Sequence, residues 1–201
     1  MVRRNPEIPA RGRGRNVFTA PLRTSFVVGA AAAMVVVAAA GGLAYWRYSS
    51  RQTRMSQPAS VMQMLGATRL EIRYNRPSAR GRTLFGGIVP YGQVWDPGAD
   101  EATTFETSRP ILFGGHPLPS GSYSVWAIPE AAEWTVILSN ASHVYHIPYP
   151  EGRDALRIRV RPVVGPYVET LAYYFPDVNA THAILVLHWG TTMIDVPIAT
   201  R

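Results

Sequence analysis

The residues best suited to chemistry lie together in one stretch of the chain, residues 75–103. It holds three acids within six positions, several arginines and three aromatic rings, set among glycines and prolines. Carboxylates and guanidinium groups provide polar anchors for a ligand, and aromatic faces pack well on sugar rings. Because long ordered loops often carry function, this stretch is the candidate ligand-binding site, and its candidate residues are Arg82, Tyr91, Trp95, Asp96, Asp100 and Glu101.

The same stretch also has a purely architectural interpretation. Its large side chains would close one end of a β domain, its glycines would take backbone angles that other residues avoid, and Glu101 would pair with Arg82. The residues of such a plug would be Phe85, Val89, Tyr91 and Trp95, with Gly86, Gly87 and Gly98 at the turns. Both interpretations stay open on the sequence alone.

The three acids further suggest a hydrolase acting on carbohydrate. Two carboxyl groups about 5–10 Å apart can serve as general acid and as nucleophile or base. Any loop with three acids offers such a pair, so catalysis is the alternative to simple binding and no catalytic residue is assigned. No metal or cofactor is expected, because the chain lacks cysteine and its five histidines are scattered, with His143 and His146 close together.

Alternating residues on both sides of this stretch predict the strands that must position it. Apolar residues alternate with charged ones over 69–74 and again over 156–161, the period of a half-buried strand. Turn signals, Gly190 among them, separate further predicted strands at 102–107, 110–114, 121–128, 133–139, 167–175, 182–189 and 191–198. No amphipathic helix is evident after residue 59. The pattern predicts a mainly β fold, a single antiparallel β-sandwich or jelly-roll-like domain at residues 59–201.

The net charge of +7 is concentrated before this domain. Residues 1–54 carry nine arginines and one acid, whereas residues 55–201 carry eleven arginines and twelve acids. The basic excess therefore flanks an apolar segment and leaves the domain nearly neutral, which argues against nucleic acid as a partner. The absence of cysteine excludes disulfides and a cysteine nucleophile.

Residues 26–46 contain no charged side chain and match the roughly 20 apolar residues of a transmembrane helix. Six arginines precede this segment and three follow it before residue 55, which predicts a single-pass protein of the inner (cytoplasmic) membrane with its N-terminus inside. The domains are then a disordered basic tail at 1–25, the bilayer-spanning helix at 26–46, a polar linker at 47–58 and an extracytoplasmic domain at 59–201. A signal peptide cleaved before Tyr45, giving a secreted protein, is the alternative.

The stretch Asn75–Thr103, NRPSARGRTLFGGIVPYGQVWDPGADEAT, is too particular to be generic strand and turn. With Leu118–Pro129, Glu133–Leu138, Asp154–Val160 and Trp189–Ile198, it resembles the DUF2911 family of bacterial exported proteins. Together they span essentially all of residues 59–199. The resemblance implies an exported β-sandwich domain and brings no established activity.

The chain departs from the family pattern inside the candidate site. Asp96 and Pro97 stand where the family usually has arginine and threonine, Asp100 replaces an asparagine, and Arg80 replaces a lysine. Any role of the family's arginine therefore cannot be transferred. The expected function is a non-catalytic binding or interaction module of the cell envelope, with carbohydrate or an envelope protein as ligand. The alternative is an envelope carbohydrate hydrolase that uses acids of the 75–103 loop.

Overall fold

The computed structural model describes residues 33–44 and 56–201, which belong to two separate compact units. Residues 33–44 form a helix inside the predicted transmembrane span 26–46. The rest of that span, the predicted tail 1–25 and the predicted linker up to residue 55 lie outside the described residues. Within the two described ranges, no helix combines the length and the apolar character that crossing a bilayer requires.

Residues 56–201 form two antiparallel sheets, which confirms the prediction of a mainly β fold and is consistent with a sandwich. The strands are β1 (Gln57–Leu65), β2 (Thr68–Arg76), β3 (Thr104–Thr107), β4 (Ile111–Phe113), β5 (His116–Leu118), β6 (Gly121–Ile128), β7 (Trp134–Ser139), β8 (Asp154–Val160), β9 (Val163–Tyr174) and β10 (His182–Thr200). The six-stranded sheet has the order β1-β2-β3-β6-β7-β8, and the four-stranded sheet has the order β5-β4-β10-β9.

Strand β2 illustrates how the alternating pattern builds the core. Leu70 and Ile72 are fully buried on its inner face, whereas Arg69 and Arg73 are exposed on the opposite face. Successive side chains of a strand point to opposite faces, so one register error would turn every apolar residue toward water. Both sheets contribute to one core, in which Phe105 of β3 lies 5.3 Å from Phe113 of β4 between ring centroids.

The structure corrects three strand predictions. Strands β1 and β5 were not predicted, and the two strands predicted at 182–189 and 191–198 are one strand, β10. Gly190 is not a turn: it lies at two register shifts against β9 and has a φ of 60°, a left-handed conformation that glycine adopts without steric cost. Strand β1 lacks a clear alternation of apolar and polar residues, because the apolar Met62 and Met64 lie on its exposed side.

The register places several connections at one end of the six-stranded sheet, here called the loop end. Gln57 at the start of β1 pairs with Arg76 at the end of β2, so the chain enters the domain at the end from which the 77–103 loop leaves. Trp134 at the start of β7 pairs with Val160 at the end of β8, which brings the β8–β9 connection to the same end. The loop end therefore gathers the domain's N-terminal entry and its longest loop.

A second, smaller core lies on the outer face of the six-stranded sheet, away from the main core. Trp126 and Ile137 are buried there beneath Val144 and Tyr149 of the β7–β8 connection. Edge-to-face packing puts the Trp126 and Tyr149 ring centroids 5.2 Å apart. This packing holds the β7–β8 connection against the sheet, where it meets the 77–103 loop.

Candidate functional site

The 77–103 loop is fastened to both sheets by backbone hydrogen bonds. After leaving β2 it runs beside β9, where the N–H of Ala79 donates to the Glu169 carbonyl at 2.8 Å. The guanidinium of Arg82 donates to the carbonyls of Ser78 and Ala79 at 2.7 and 2.9 Å. Arg82 therefore stabilises its own turn. Arg82 and Glu101 both lie within the described residues 56–201, and the predicted ion pair between them does not form.

Aromatic rings of the loop close the loop end of the main core. Phe85 packs edge-to-face on Trp134 with ring centroids 4.6 Å apart, and Trp95 stacks on Trp189 at 6.0 Å. Trp95 is half-buried, and its backbone N–H donates to the Ala127 carbonyl at 2.8 Å. The architectural interpretation of these two loop aromatics agrees with this packing, since most of the Trp95 surface is used within the protein.

Tyr91 lies apart from this aromatic cluster, on the surface. Its side chain is 44 % exposed and lines a shallow depression together with Val163 and Val164 at the start of β9. The ring also crosses Gly86, where an added Cβ would come within 2.7 Å of Tyr91 Cε2. Gly86 has a φ of 78°, so both the backbone angle and the close approach of the ring require glycine at this position.

Asp96 is a buried acid that organises the returning half of the loop. It is 5 % exposed, and its Oδ1 accepts the Thr103 N–H at 2.9 Å, while Oδ2 has no hydrogen-bond partner. Burial raises the pKa of Asp96 to about 7, although the Thr103 hydrogen bond and nearby His146 oppose the rise. Gly98 permits the tight approach, because an added Cβ would lie 2.5 Å from Thr103 Oγ1. Asp96 thus faces the protein interior.

Asp100 and Glu101 lie where this loop meets the β7–β8 connection. The Asp100 carbonyl accepts two hydrogen bonds from His146, from the backbone N–H at 3.1 Å and from Nδ1 at 2.6 Å. Asp100 has a φ of 64°, which aspartate tolerates better than most residues. Glu101 is exposed and forms an isolated bridge with Tyr145. Glu101 is the candidate acid that reaches a concave surface.

That surface is an open groove of about 490 Å³ between β1, β2 and the two loops, here called the β1–β2 groove. Four separate segments supply its polar lining, which consists of Ser60, Arg73, Asn75, Glu101, Thr104 and His143. His143 has a φ of 57°, so the backbone is left-handed in both loops that border the groove. Such conformations persist where the surrounding structure holds them, and they are common at binding sites.

An ion-pair network supports the strand side of the groove. Arg73 contacts Glu71 at 2.8 Å and Glu106 at 2.7 Å, and Arg69 contacts Glu71 at 2.5 Å. The Glu71 side chain is 11 % exposed and forms ion pairs with both arginines. The network fixes the direction of the guanidinium of Arg73, which also lines the groove.

Asn75 provides the most informative single atom of the groove. Its Nδ2 donates to the Ala99 carbonyl at 2.6 Å and to Glu101 Oε2 at 3.1 Å. Two acceptors on one side fix the orientation of the amide, because the flipped amide would face oxygen toward oxygen. Oδ1 is consequently buried without a protein donor, at a cost of about 1–3 kcal/mol. The residue is 4 % exposed, so a ligand would reach Oδ1 only after a movement of the groove wall.

The six candidate residues do not converge on one site. Glu101 lines the β1–β2 groove, Tyr91 lies on the surface near β9, Trp95 packs in the aromatic cluster, Asp96 is buried, Asp100 carries a backbone junction, and Arg82 braces a turn. The groove adds Arg73, which the sequence predicts as an outward-facing strand residue, and Asn75, which begins the predicted 75–103 loop but is not among its candidate residues. Asparagine is depleted in strands, so its place at the end of β2 was the available signal.

Within residues 33–44 and 56–201, no three histidine, aspartate or glutamate side chains are grouped so that they could hold a metal ion.

Comparison with known proteins gives the family of the chain. No curated protein and no solved structure matches it. Residues 56–198 match the family described as "Protein of unknown function (DUF2911)", a match that covers most of the chain and all ten strands apart from the last residues of β10. This chain therefore belongs to the DUF2911 family.

Proposed function

We propose that this protein is a membrane-anchored, extracytoplasmic binding module whose ligand lies in the β1–β2 groove. The observation that carries the binding role is the groove itself, to which four separate segments contribute polar side chains. A ligand that both donates and accepts hydrogen bonds would match this lining. The site chemistry thus favours a polar ligand.

Hydroxyl groups fit the remaining lining better than a purely cationic ligand does. Arg73 donates hydrogen bonds, Glu101 accepts them, and the hydroxyls of Ser60 and Thr104 do both. A carbohydrate presents hydroxyls that donate and accept along one face, and it would use all of these groups at once. The shape is an open groove rather than a closed cavity, which suits a chain of sugar units.

A hydrolase receives less support from the same geometry. Of the three acids in the loop, Glu101 lines the groove, whereas Asp96 is buried against Thr103. A raised pKa is typical of a general acid, but a general acid must also reach the bond that it protonates. The high pKa of Asp96 is explained by its burial within the loop. Simple binding needs no second acid, so it is the function that we propose.

The binding role is tested with the Glu101→Gln variant and a panel of cell-envelope oligosaccharides, measured by titration calorimetry. Replacing a charged acceptor with a neutral one should weaken binding about tenfold or more, because hydrogen bonds to charged groups are worth roughly 1.5–3 kcal/mol. Glu151→Gln, in an exposed turn, is the matched control and should bind normally. Equal affinity in the two variants would disprove the groove as the binding site. Turnover of an oligosaccharide that Glu101→Gln abolishes would establish the hydrolase instead.

The cellular location rests on the apolar segment and its charged flanks. Residues 26–46 lack charge, and the helix at 33–44 falls inside this span. Six arginines before the span and three after it favour an N-terminus that stays in the cytoplasm. The apolar span 26–46 would anchor the chain in the inner membrane, and the domain would face the outside of the cytoplasm.

This topology predicts the behaviour of fusions made after Arg201. Alkaline phosphatase should be active there, because it folds only after export, whereas a fluorescent protein that requires the cytoplasm should stay dark. Carbonate extraction then distinguishes a retained anchor, which stays in the membrane pellet, from a cleaved signal. A dark phosphatase with a bright fluorescent fusion would reverse the proposed orientation.

A further inference from the structure

Exposed apolar side chains are concentrated at the loop end of the domain. Ten large apolar side chains are exposed within residues 56–201, and six of them lie in the segments 88–94 and 163–167. Val164 is 91 % exposed, more than any other large apolar side chain in the described domain. Such a concentration of apolar side chains is poorly solvated by water, and Tyr91, Val163 and Val164 among them form one patch. The six are Ile88, Tyr91, Val94, Val163, Val164 and Tyr167.

The two segments come together at the β8–β9 connection. Tyr91, Val163 and Val164 line one shallow depression, whose floor is formed by Phe85 and Trp134 of the aromatic cluster. Because Trp134 pairs with Val160 at the loop end of the sheet, the depression lies at that end. The patch is therefore a feature of the end of the domain and not of a sheet face.

The chain enters the domain at the same end. Gln57 pairs with Arg76, where the 77–103 loop begins, and only ten residues lie between Gln57 and the end of the predicted membrane segment at residue 46. The intervening residues 47–56 span at most about 35 Å when fully extended. Five strand spacings separate β1 from β8, about 24 Å across the sheet. An anchored chain can thus keep the whole loop end within reach of the bilayer.

The chemistry of the patch suits a membrane surface. Its tyrosines have an apolar ring and a polar hydroxyl, the combination that favours the headgroup level. The exposed Arg161 lies two residues before Val163 in the chain, where a guanidinium group can pair with lipid phosphates. Glu130 also lines the depression, so the charge there is mixed, and the apolar side chains provide most of the expected attraction.

We propose that the loop end of the domain docks on the lipid bilayer that anchors the chain, with Tyr91, Val163 and Val164 at headgroup depth. This inference rests on the membrane anchoring in the proposed function. It also places the β1–β2 groove, which includes Pro58 near the chain entry, beside the membrane surface. A ligand of the groove would then be held close to the bilayer.

The test uses the full chain in vesicles of phosphatidylcholine and phosphatidylglycerol. The chain has no cysteine, so Val164→Cys and, as the matched control, Ser120→Cys each accept one environment-sensitive fluorophore. Ser120 is exposed in the turn before β6, and β6 begins at the opposite end of the sheet, where Gly121 pairs with Thr107. Lipids with brominated acyl chains quench fluorophores near the membrane.

Docking should shift the emission of the label at residue 164 to shorter wavelength and quench it at least twofold more than the label at residue 120. Equal quenching at the two positions, in a chain that floats with the vesicles, would overturn docking and leave the anchor intact. A chain that fails to float with the vesicles would disprove the anchor, and the docking with it. The two proposals therefore fail in different ways.

Discussion

Replacing Asp96 with asparagine is expected to stabilise the protein at pH 8 by up to about 4 kcal/mol. The pKa of Asp96 is raised from 3.8 to about 7 in the folded chain because the carboxyl is buried. Each pKa unit corresponds to about 1.4 kcal/mol. Asparagine keeps the oxygen that accepts the Thr103 N–H, and it removes the charge that burial disfavours.

The sign of the pH dependence follows from the raised pKa. Between about pH 4 and pH 7 the unfolded chain releases the Asp96 proton while the folded chain retains it, so the free energy of unfolding falls as the pH rises. The stabilising contribution of the protonated acid is complete below pH 4 and is lost above pH 7. The Asp96→Asn variant has no proton to lose there and should escape this decline.

Urea unfolding followed by tryptophan fluorescence at pH 4, 6 and 8 measures the effect. The difference between the variant and the native chain should be near zero at pH 4 and should grow toward pH 8. Glu151→Gln is the control for removal of an exposed carboxylate and should leave the pH profile unchanged. A constant difference across the three pH values would mean that Asp96 titrates normally.

Replacing Trp134 with alanine is expected to destabilise the domain by about 3–5 kcal/mol, the usual cost of removing a buried tryptophan. Trp134 is 1 % exposed and packs against Phe85 at 4.6 Å and Trp95 at 6.2 Å. Its loss would leave a cavity under the 77–103 loop that neighbouring rings fill only partly. The melting temperature should fall by roughly 10 °C.

Tyr91→Ala provides the matched comparison, because Tyr91 belongs to the same end of the domain but is 44 % exposed. Its removal should cost less than about 1 kcal/mol. Thermal unfolding monitored by circular dichroism compares the two variants directly. Similar melting temperatures for Trp134→Ala and the native chain would show that the aromatic cluster is not what closes the loop end.

The fold class could be predicted because strand alternation is a local property. Residues 69–74 and 156–161 alternate cleanly, and both lie in strands, β2 and β8. Prediction failed where local chemistry has two meanings. A glycine marks a turn or a bulge equally well, and at Gly190 the long β10 continues through a bulge because β9 pairs with it on both sides.

The candidate site was predictable as a loop but not as an arrangement of side chains. Glu101 reaches the groove and Asp96 does not, although five positions separate them in one acidic segment. The difference arises from hydrogen bonds that the folded loop makes: the Thr103 N–H, seven residues away, donates to the Asp96 carboxyl, and His146, 46 residues away, donates to the Asp100 carbonyl. Arg73 and Asn75 belong to the groove because β2 lines it together with the loop. No local sequence pattern predicts that contact.

The sequence by itself determined the period-two strands, the position of the apolar segment and the concentration of charge before the domain, because each depends on the order of residue types along the chain. The tertiary structure alone decided which acids are buried, which rings close the core, and which four segments enclose the groove. These depend on residues far apart in the chain that the fold brings together. Burial then gives two acids of one loop different environments, so that Asp96 lies inside the protein against Thr103 while Glu101 lines the groove.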